Sequence, residues 1–303
     1  MQWKKMGLVF DASKFSWSKD TALQPTPLAM GDRIRVFVGS RDASGVSRIG
    51  FVDLDKNDPL QILDFSKKPV LDVGCDGSFD ESGVVPSAVV RQGSLIYLFY
   101  AGYQLGSKVR FSVLGGLAIS DDGGATFNRV QSTPVFERTP NETLFRVPHT
   151  VLFEDNKWKA WYGGGSKFVH GQVKSLPVYD VRYTESKTPF SFQSEGRSVL
   201  TTQGEEYRLG RPFLFKKNHG EYYLFYGFST EQKPYRLGYA TSSDLKNWTR
   251  RDASLNLDID PDDWESEMTA YPAVIASNEK VFMFYNGNGY GQEGFGMAEL
   301  IKW

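Results

Sequence analysis

Acidic residues recur five or six positions ahead of a series of prolines in this sequence. Cleavage of a glycosidic bond uses two carboxyl groups, one protonated as general acid and one ionised as base or nucleophile. Glu267 is therefore the candidate acid, and Asp42 or Glu81 is the candidate base or nucleophile. Glu206 completes this catalytic set, whereas Glu142 follows an asparagine and is typical of a surface turn. The acidic residues that stand five or six positions before a proline are Asp20, Glu81, Glu142, Glu206 and Glu267.

Arginine and aromatic side chains near the same prolines could hold a substrate. Arg211 directly precedes its proline, where a guanidinium could grip a carboxylate or phosphate through two parallel hydrogen bonds. The alternative is that Arg211 pairs with Glu206 or Glu267 and keeps the site in shape. Tyr271 and Tyr290 offer rings that could stack on a sugar. The candidate substrate-binding residues are Arg211, Arg41, Arg146, Gln24, His149, Tyr271, Asn286, Asn288 and Tyr290, and Arg208 belongs to the same set of arginines.

A repeat of about 60 residues sets the positions of these side chains. Its prolines are 61, 62, 64 and 60 residues apart. Each proline precedes a short apolar strand, a polar turn and a second, aromatic strand that ends near a tyrosine, and a third strand follows. Proline fits at the first residue of a strand, where its missing N–H costs least. The prolines of the repeat are Pro25, Pro86, Pro148, Pro212 and Pro272.

This period, with about four strands in each copy, predicts an all-β, five-bladed β-propeller with four-stranded blades. The last copy ends at Trp303 after three strands, and the opening segment Trp3–Phe10 has no copy of its own. We therefore expect the N-terminal strand to complete the last blade, and residues 1–303 to form a single propeller domain. The innermost strands of a propeller line its centre, so residues beside the repeat prolines should face a central pocket.

Composition narrows the possible partners. The net charge of −1 leaves no overall positive field for nucleic acid or an anionic membrane surface. The single cysteine, Cys75, fits a reducing compartment, and no apolar run approaches the ~20 residues of a membrane span. We expect a cytoplasmic protein with a small-molecule or oligosaccharide substrate. No Cys/His spacing typical of metal binding is present, so we expect no metal and no cofactor, and a structural hydrogen bond is the alternative role of His149.

Several sequence blocks resemble the five-bladed propeller glycosidases of glycoside hydrolase families 32, 43, 62, 68 and 130. The chain is most similar to a group of family 32/43-like proteins often encoded among bacterial surface-polysaccharide genes. The resemblance covers essentially the whole chain and implies a carbohydrate-active enzyme. The blocks that carry it are Gln24–Pro27, Asp80–Ser87, Trp264–Pro272 and Tyr285–Gly291.

The chain departs from these families at two of their catalytic positions. Typical family 32 and 43 members carry an aspartate in the first blade and another in a middle blade. The matching positions here read Gln24-Pro25-Thr26 and Arg146-Val147-Pro148, without either aspartate. Three functions therefore stay open: an enzyme that cleaves or transfers a glycosyl unit of a small glycan or activated sugar in surface-polysaccharide metabolism, a non-catalytic sugar-binding propeller, and an enzyme for an anionic (carboxylated or phosphorylated) sugar, including phosphorolysis.

Overall fold

The computed structural model describes residues 1–303, and almost all of its regular structure is β-strand. Strand β1 is Gln2–Asp11. The first antiparallel group contains β2 (Asp20–Ala29), β3 (Arg33–Arg41), β4 (Ser47–Asp55) and β5 (Ile62–Phe65). The second contains β6 (Val84–Gln92), β7 (Leu95–Leu105), β8 (Phe111–Ser120) and β9 (Asn128–Arg129). The third contains β10 (Phe145–Glu154), β11 (Lys157–His170), β12 (Ser175–Ser186) and β13 (Arg197–Leu200).

The remaining strands complete the same pattern. The fourth group contains β14 (Arg208–Asn218), β15 (Glu221–Ser229), β16 (Arg236–Ser242) and β17 (Thr249–Arg250). The fifth contains β18 (Ala270–Ser277), β19 (Lys280–Asn286) and β20 (Gly294–Lys302). Helical structure is limited to the turns Ala12–Lys14, Asp252–Ser254 and Asn288–Gly291. None of these turns has the length or the apolar character of a helix that crosses a membrane.

The two ends of the chain meet in the fifth group. Strand β1 pairs with β20 antiparallel, from Gln2 beside Lys302 to Asp11 beside Gly294. This confirms the expectation that the opening segment supplies the fourth strand of the last repeat. The first strand of each group contacts the first strands of the groups before and after it, and β18 in turn contacts β2. The five first strands thus surround a common centre.

Apolar side chains fill the space between neighbouring groups. Val36 of the first group packs with Phe284 and Phe295 of the fifth. Phe37 of the first group packs with Leu98 of the second in the same way. Burial of such large side chains contributes roughly 1.5–3 kcal/mol each. These layers hold the groups face to face and keep the first strands in place around the centre.

The sequence predicted the repeat prolines at the first residues of strands. In the structure they lie inside the first strands. In each group the pairing with the second strand shifts register at the proline, for example between Pro86 and Ala88 and between Gly210 and Phe213. Such a bulge leaves one residue out of the hydrogen-bonded ladder, and proline is tolerated at bulges because the regular ladder is already interrupted there. It also redirects the neighbouring side chains toward the centre.

Carboxylates accept hydrogen bonds from tyrosines that lie within the second strands of three groups. The Tyr100 hydroxyl donates to Asp80 at 3.0 Å, and the Tyr226 hydroxyl donates to Asp252 at 2.6 Å. Tyr162 donates in the same way to Glu142, which has no exposed surface. The prediction that Glu142 lies in a surface turn is therefore wrong: the residue is a buried anchor of the third group. The turn predicted at Asn141 could not reveal the hydrogen bond from Tyr162 to Glu142, because the two residues are 20 positions apart in the sequence.

Candidate active site: a basic, tyrosine-lined central cavity

Four of the first strands, β2, β10, β14 and β18, together with later strands of the groups and the loops between strands, line a cavity of about 260 Å³. Ligand pockets commonly enclose ~300–1,000 Å³, so this one suits a single small molecule rather than a polymer. The lining contains no aspartate and no glutamate. Its basic side chains are Arg41, Arg110, Lys174, Arg208 and Arg211. Its tyrosines are Tyr103, Tyr179, Tyr207, Tyr235, Tyr271 and Tyr290.

Unusual backbone conformations place several of these side chains. Gln24, Arg211 and Tyr271 each precede a repeat proline and have φ of 52°, 53° and 59°. Proline favours extended backbone in the residue before it, and left-handed backbone costs roughly 1–3 kcal/mol for a residue with a side chain. The bulges in β2, β14 and β18 impose this conformation. All three side chains line the cavity as a result.

Arg211 is a buried cation without a carboxylate partner. Its side chain is 1% exposed and donates to the Gln24 Oε1 at 3.0 Å and to the Pro25 carbonyl at 2.7 Å. A third bond reaches the Thr26 Oγ1 at 2.9 Å. Burial lowers the pKa of Arg211 to about 9, because removal from water disfavours the charged form. Arg211 thus ties β14 to β2 and leaves its charge uncompensated beside the cavity.

Arg208 is a second buried guanidinium in the lining, 8% exposed. It donates to the Ser229 Oγ at 2.8 Å and to the Tyr290 hydroxyl at 3.3 Å, and it lies 4.0 Å from the Tyr235 ring centroid. Burial acts to lower the pKa of Arg208, but the surrounding tyrosines outweigh it and the pKa lies well above its ordinary value. No carboxylate forms an ion pair with Arg208, so its charge remains available to a ligand.

His149 and the pair Tyr179–Tyr235 supply neutral polar groups. Burial lowers the pKa of His149 well below its ordinary value, and the nearby Arg211 lowers it further. The imidazole is therefore neutral at neutral pH, and its buried Nδ1 has no hydrogen-bond partner. The hydroxyls of Tyr179 and Tyr235 bond each other at 2.6 Å. The cavity therefore combines fixed positive charge with neutral donors and acceptors.

The carboxylates that the sequence singled out for catalysis lie outside this lining. Both oxygens of Glu206 accept from Arg250, at 2.7 and 2.8 Å, so the suggested pairing of Arg211 with Glu206 is not present. Asp42 pairs with Arg48 at 2.5 Å and caps its own turn through Ser44. The Ser44 hydrogen bond, ahead of the Arg48 contact, holds the pKa of Asp42 at about 2.

The other two catalytic candidates are also occupied elsewhere or exposed. Glu81 accepts from the Gly77 N–H at 2.6 Å at the edge of a turn. Glu267 is exposed, and its backbone N–H donates to the Asn288 Oδ1 at 2.7 Å. The structure therefore does not bring Glu267, Glu81, Asp42 and Glu206 together around one bond. Carboxylate spacing could not be predicted because proximity to a proline does not set the direction of a side chain.

Six of the nine predicted binding residues do line the cavity: Gln24, Arg41, His149, Arg211, Tyr271 and Tyr290. The other three lie outside the lining. Asn286 is fully buried, and its Oδ1 accepts from the Gln24 N–H at 2.8 Å. Asn288 fixes the loop before β18 through its contact with Glu267. Arg146 is fully buried against Glu142 at 2.8 Å, so the structure does not place it where it could grip a ligand.

Of the remaining basic residues of the lining, Arg208 was named with the arginines of the sequence, whereas Arg110 and Lys174 were not predicted. Arg208 stands three residues before Arg211, and simple strand alternation would send the two to opposite faces. The bulge between them brings both to the cavity. Arg110 and Lys174 come from the long hairpin ends of the second and third groups, where no repeat signal exists. The cluster of arginines near the repeat prolines indicated Arg208 as a candidate, but nothing in the sequence indicated Arg110 or Lys174.

Comparison with known proteins agrees with this fold. The chain is 32% identical over 303 residues to the uncharacterized protein Rv1502 of Mycobacterium tuberculosis, covering 99% of both chains. No protein-family model matches it. Among solved structures it is similar to a glycoside hydrolase, with TM-score 0.73, 18% identity and coverage of 99% of this chain and 92% of that one.

Two further structures name the hydrolase families. A thermostable family-43 glycoside hydrolase gives TM-score 0.68 and 15% identity, with 95% of this chain and 91% of that chain covered. A family-32 β-fructofuranosidase from Bombyx mori, in complex with sucrose, gives TM-score 0.63 and 15% identity, with 94% and 62% covered. At these identities the likeness shows the fold, which is the β-propeller of the family 43 and 32 glycoside hydrolases.

Proposed function

This chain belongs to the same family as the uncharacterized protein Rv1502 of Mycobacterium tuberculosis, and we propose that it is a carbohydrate-active enzyme whose central cavity takes an anionic sugar. The sugar would carry a carboxylate or a phosphate. One observation carries this proposal: five basic side chains and no acidic one line the cavity. A neutral sugar would leave that charge unpaired, whereas an acidic group would form charge-assisted hydrogen bonds with it.

The aromatic lining supports the sugar half of this proposal. Tyr271 and Tyr290 lie nearly parallel, with ring centroids 6.1 Å apart, and both line the cavity. Tyrosine combines an apolar face with a polar hydroxyl, which suits the C–H face and the hydroxyl groups of a pyranose. One of the similar solved structures, the family-32 β-fructofuranosidase from Bombyx mori, is a complex with sucrose. The carbohydrate assignment of this chain rests on that likeness together with the tyrosine lining.

The carboxylate set Glu267, Glu81, Asp42 and Glu206 does not carry the proposal. A retaining or inverting hydrolase needs two carboxyl groups ~5–9.5 Å apart across the scissile bond. Asp42 and Glu206 are engaged with arginines at other places, and none of the four lines the cavity. Phosphorolysis and a role in surface-polysaccharide metabolism stay within the proposal, since an anionic substrate fits both.

We also propose the number of blades and the extent of the domain. We take the five antiparallel groups as the five blades of one propeller domain that spans residues 1–303. The mutual contacts of β2, β6, β10, β14 and β18 and the pairing of β1 with β20 support this arrangement. A cytoplasmic setting is proposed from the single cysteine, Cys75, which is exposed.

Calorimetric titration with matched sugars tests the proposed ligand class. A neutral hexose, the corresponding hexuronic acid and the hexose monophosphate are compared at two salt concentrations. We expect at least one acidic sugar to bind and the neutral hexose to bind far more weakly. Higher salt should lower the affinity for the acidic sugar. Equal affinity for all three sugars, or preference for the neutral one, would refute the proposal.

Arg208→Gln gives the matched variant for this titration. A hydrogen bond to a charged group contributes roughly 1.5–3 kcal/mol, so its loss should lower the affinity for the acidic sugar about 10–100-fold. The control is Arg91→Gln, because Arg91 is exposed, contacts only the Gly93 carbonyl and lies outside the lining. Arg91→Gln should bind as the wild type does.

Binding without turnover is the second candidate function. The absence of aspartate and glutamate from the lining favours it, because the usual acid and base are then missing from the cavity. Incubation with nucleotide-sugars, oligosaccharides and acidic glycans, with and without inorganic phosphate, separates the two candidates. Product formation supports the enzyme, whereas tight binding of an acidic sugar without any product supports the binding protein.

A further inference from the structure

We propose that Tyr290 contacts the ligand directly and donates its hydroxyl hydrogen to the anionic group, in the space shared by Arg208, Arg110 and Lys174. This inference rests on the proposed function, because it assumes that an anionic sugar occupies the cavity. It adds a specific donor to the site and a proton that must be present for binding.

The hydroxyl of Tyr290 has an unused hydrogen at the cavity. Its oxygen accepts from the Arg208 Nη2 at 3.3 Å, and no protein group accepts its hydrogen. A phenol can donate one hydrogen bond while it accepts others. The hydroxyls of Tyr179 and Tyr235, in contrast, share one hydrogen bond at 2.6 Å, and neither accepts a hydrogen bond from an arginine. Tyr290 is therefore a lining tyrosine that meets a cation and keeps its donor free for a ligand.

The local backbone holds Tyr290 rigidly in this place. Its φ is 63°, within the turn Asn288–Gly291, so the residue adopts a strained left-handed conformation. Asn288 ties the turn to the loop before β18 through the backbone N–H groups of Glu267 and Met268, at 2.7 and 3.2 Å. A Cβ atom at Gly291 would lie 2.3 Å from the Asn286 Nδ2, so the turn can approach this closely only with glycine. Strain maintained by so many contacts is typical of ligand sites.

The charges that face Tyr290 come from several elements. Burial acts to raise the pKa of its phenol, but the Arg208 charge and hydrogen bond, followed by the charges of Lys174 and Arg110, bring it below its ordinary value. The neighbouring tyrosines are uncharged at neutral pH, and burial raises the pKa of Tyr103 to about 12. The groups that face Tyr290 are Arg208 of β14, Lys174 and Arg110 of the hairpins, and Tyr103, Tyr207, Tyr235 and Tyr271.

This arrangement makes ligand binding dependent on the Tyr290 proton. Below its pKa the neutral phenol donates to the anion, whereas above it the phenolate repels the anion and competes for the same cations. The Tyr290 contribution to binding is therefore complete below the Tyr290 pKa and decreases as pH rises through it, and loss of the Arg211 charge near its pKa of about 9 weakens binding in the same direction. Because that pKa lies below the ordinary value of ~10, the loss begins before an unperturbed tyrosine would ionise.

Spectroscopic titration of the free protein tests the ionisation separately from function. The ultraviolet phenolate band is followed from neutral pH to about pH 10 in wild type, Tyr290→Phe and Tyr103→Phe. We expect one phenolate to appear early in the wild type and in Tyr103→Phe, and to be absent from Tyr290→Phe. An identical titration of wild type and Tyr290→Phe would overturn the inference.

Ligand binding over the same pH range tests the contact. With the acidic sugar that binds the wild type, we expect Tyr290→Phe to weaken affinity about tenfold or more at neutral pH and to make affinity fall less steeply with pH, because only the loss of the Arg211 charge remains. Tyr103→Phe should keep the wild-type pH dependence. If the acidic sugar binds wild type and Tyr290→Phe with the same affinity and pH profile, the inference fails while the proposed function stands. If no acidic sugar binds the wild type, both fail.

Discussion

Replacement of Glu142 by glutamine should destabilise the protein without removing a catalytic group. Glu142 and Arg146 are both fully buried and form an ion pair at 2.8 Å. Arg182 adds a second contact at 3.1 Å, and the Tyr162 hydroxyl donates to the same carboxylate. Removal of one partner from a buried pair costs about 3–5 kcal/mol, because the other charge stays buried without compensation. For 303 residues this lowers Tm by about 5–8 °C.

Urea unfolding of Glu142→Gln, followed by tryptophan fluorescence, measures this loss. The control is Glu137→Gln, because Glu137 pairs with Arg138 at 3.4 Å on the surface and such pairs contribute about 0–1 kcal/mol. We expect the two variants to differ by about 2 kcal/mol or more. A Glu142→Gln variant that is as stable as Glu137→Gln, yet loses activity or ligand binding, would refute the structural role and return Glu142 to the candidate site.

Three further predictions address the predicted catalytic residues and the fold. Glu267→Gln should bind the acidic sugar within about twofold of wild type, since Glu267 is exposed outside the cavity; a calorimetric loss of tenfold would contradict this. Asp42→Asn should be less stable than wild type at neutral pH, and urea unfolding at decreasing pH should show the difference disappear as pH falls through about 2, where the depressed pKa of Asp42 places its protonation. Deletion of residues 1–11 should leave β20 with an unpaired edge and cause aggregation or unfolding, which light scattering and circular dichroism would detect; a monomeric, folded deletion variant would argue against the pairing.

The repeat was visible in the sequence because every group must bury the same faces. An apolar stretch after Pro148 and an aromatic stretch that leads to Tyr162 are needed wherever two sheets pack together, so the pattern recurs with each group. The N-terminal strand could be inferred by counting strands in the last copy. The position of the prolines within the strands could not, because a bulge leaves no mark in hydrophobic alternation.

Some of the residues that line the cavity could be identified from the sequence, and others could not. Gln24, Arg211 and Tyr271 could be identified because they stand next to prolines that must lie near the centre. Arg110 and Lys174 could not, because hairpins far apart in sequence bring them to the cavity. The same limitation applies to the carboxylates, whose partners are decided by contacts between groups. Position beside a repeat proline thus indicated part of the lining, but it misplaced Arg146 of β10, whose side chain pairs with Glu142.

A crystal structure of the protein with a bound acidic sugar would show whether the basic cavity is the ligand site. We expect one sugar in the cavity, with its carboxylate or phosphate within hydrogen-bonding distance of Arg208 and the Tyr290 hydroxyl. A neutral sugar held by carboxylates in place of these groups, or an acidic sugar bound outside the cavity, would contradict this expectation.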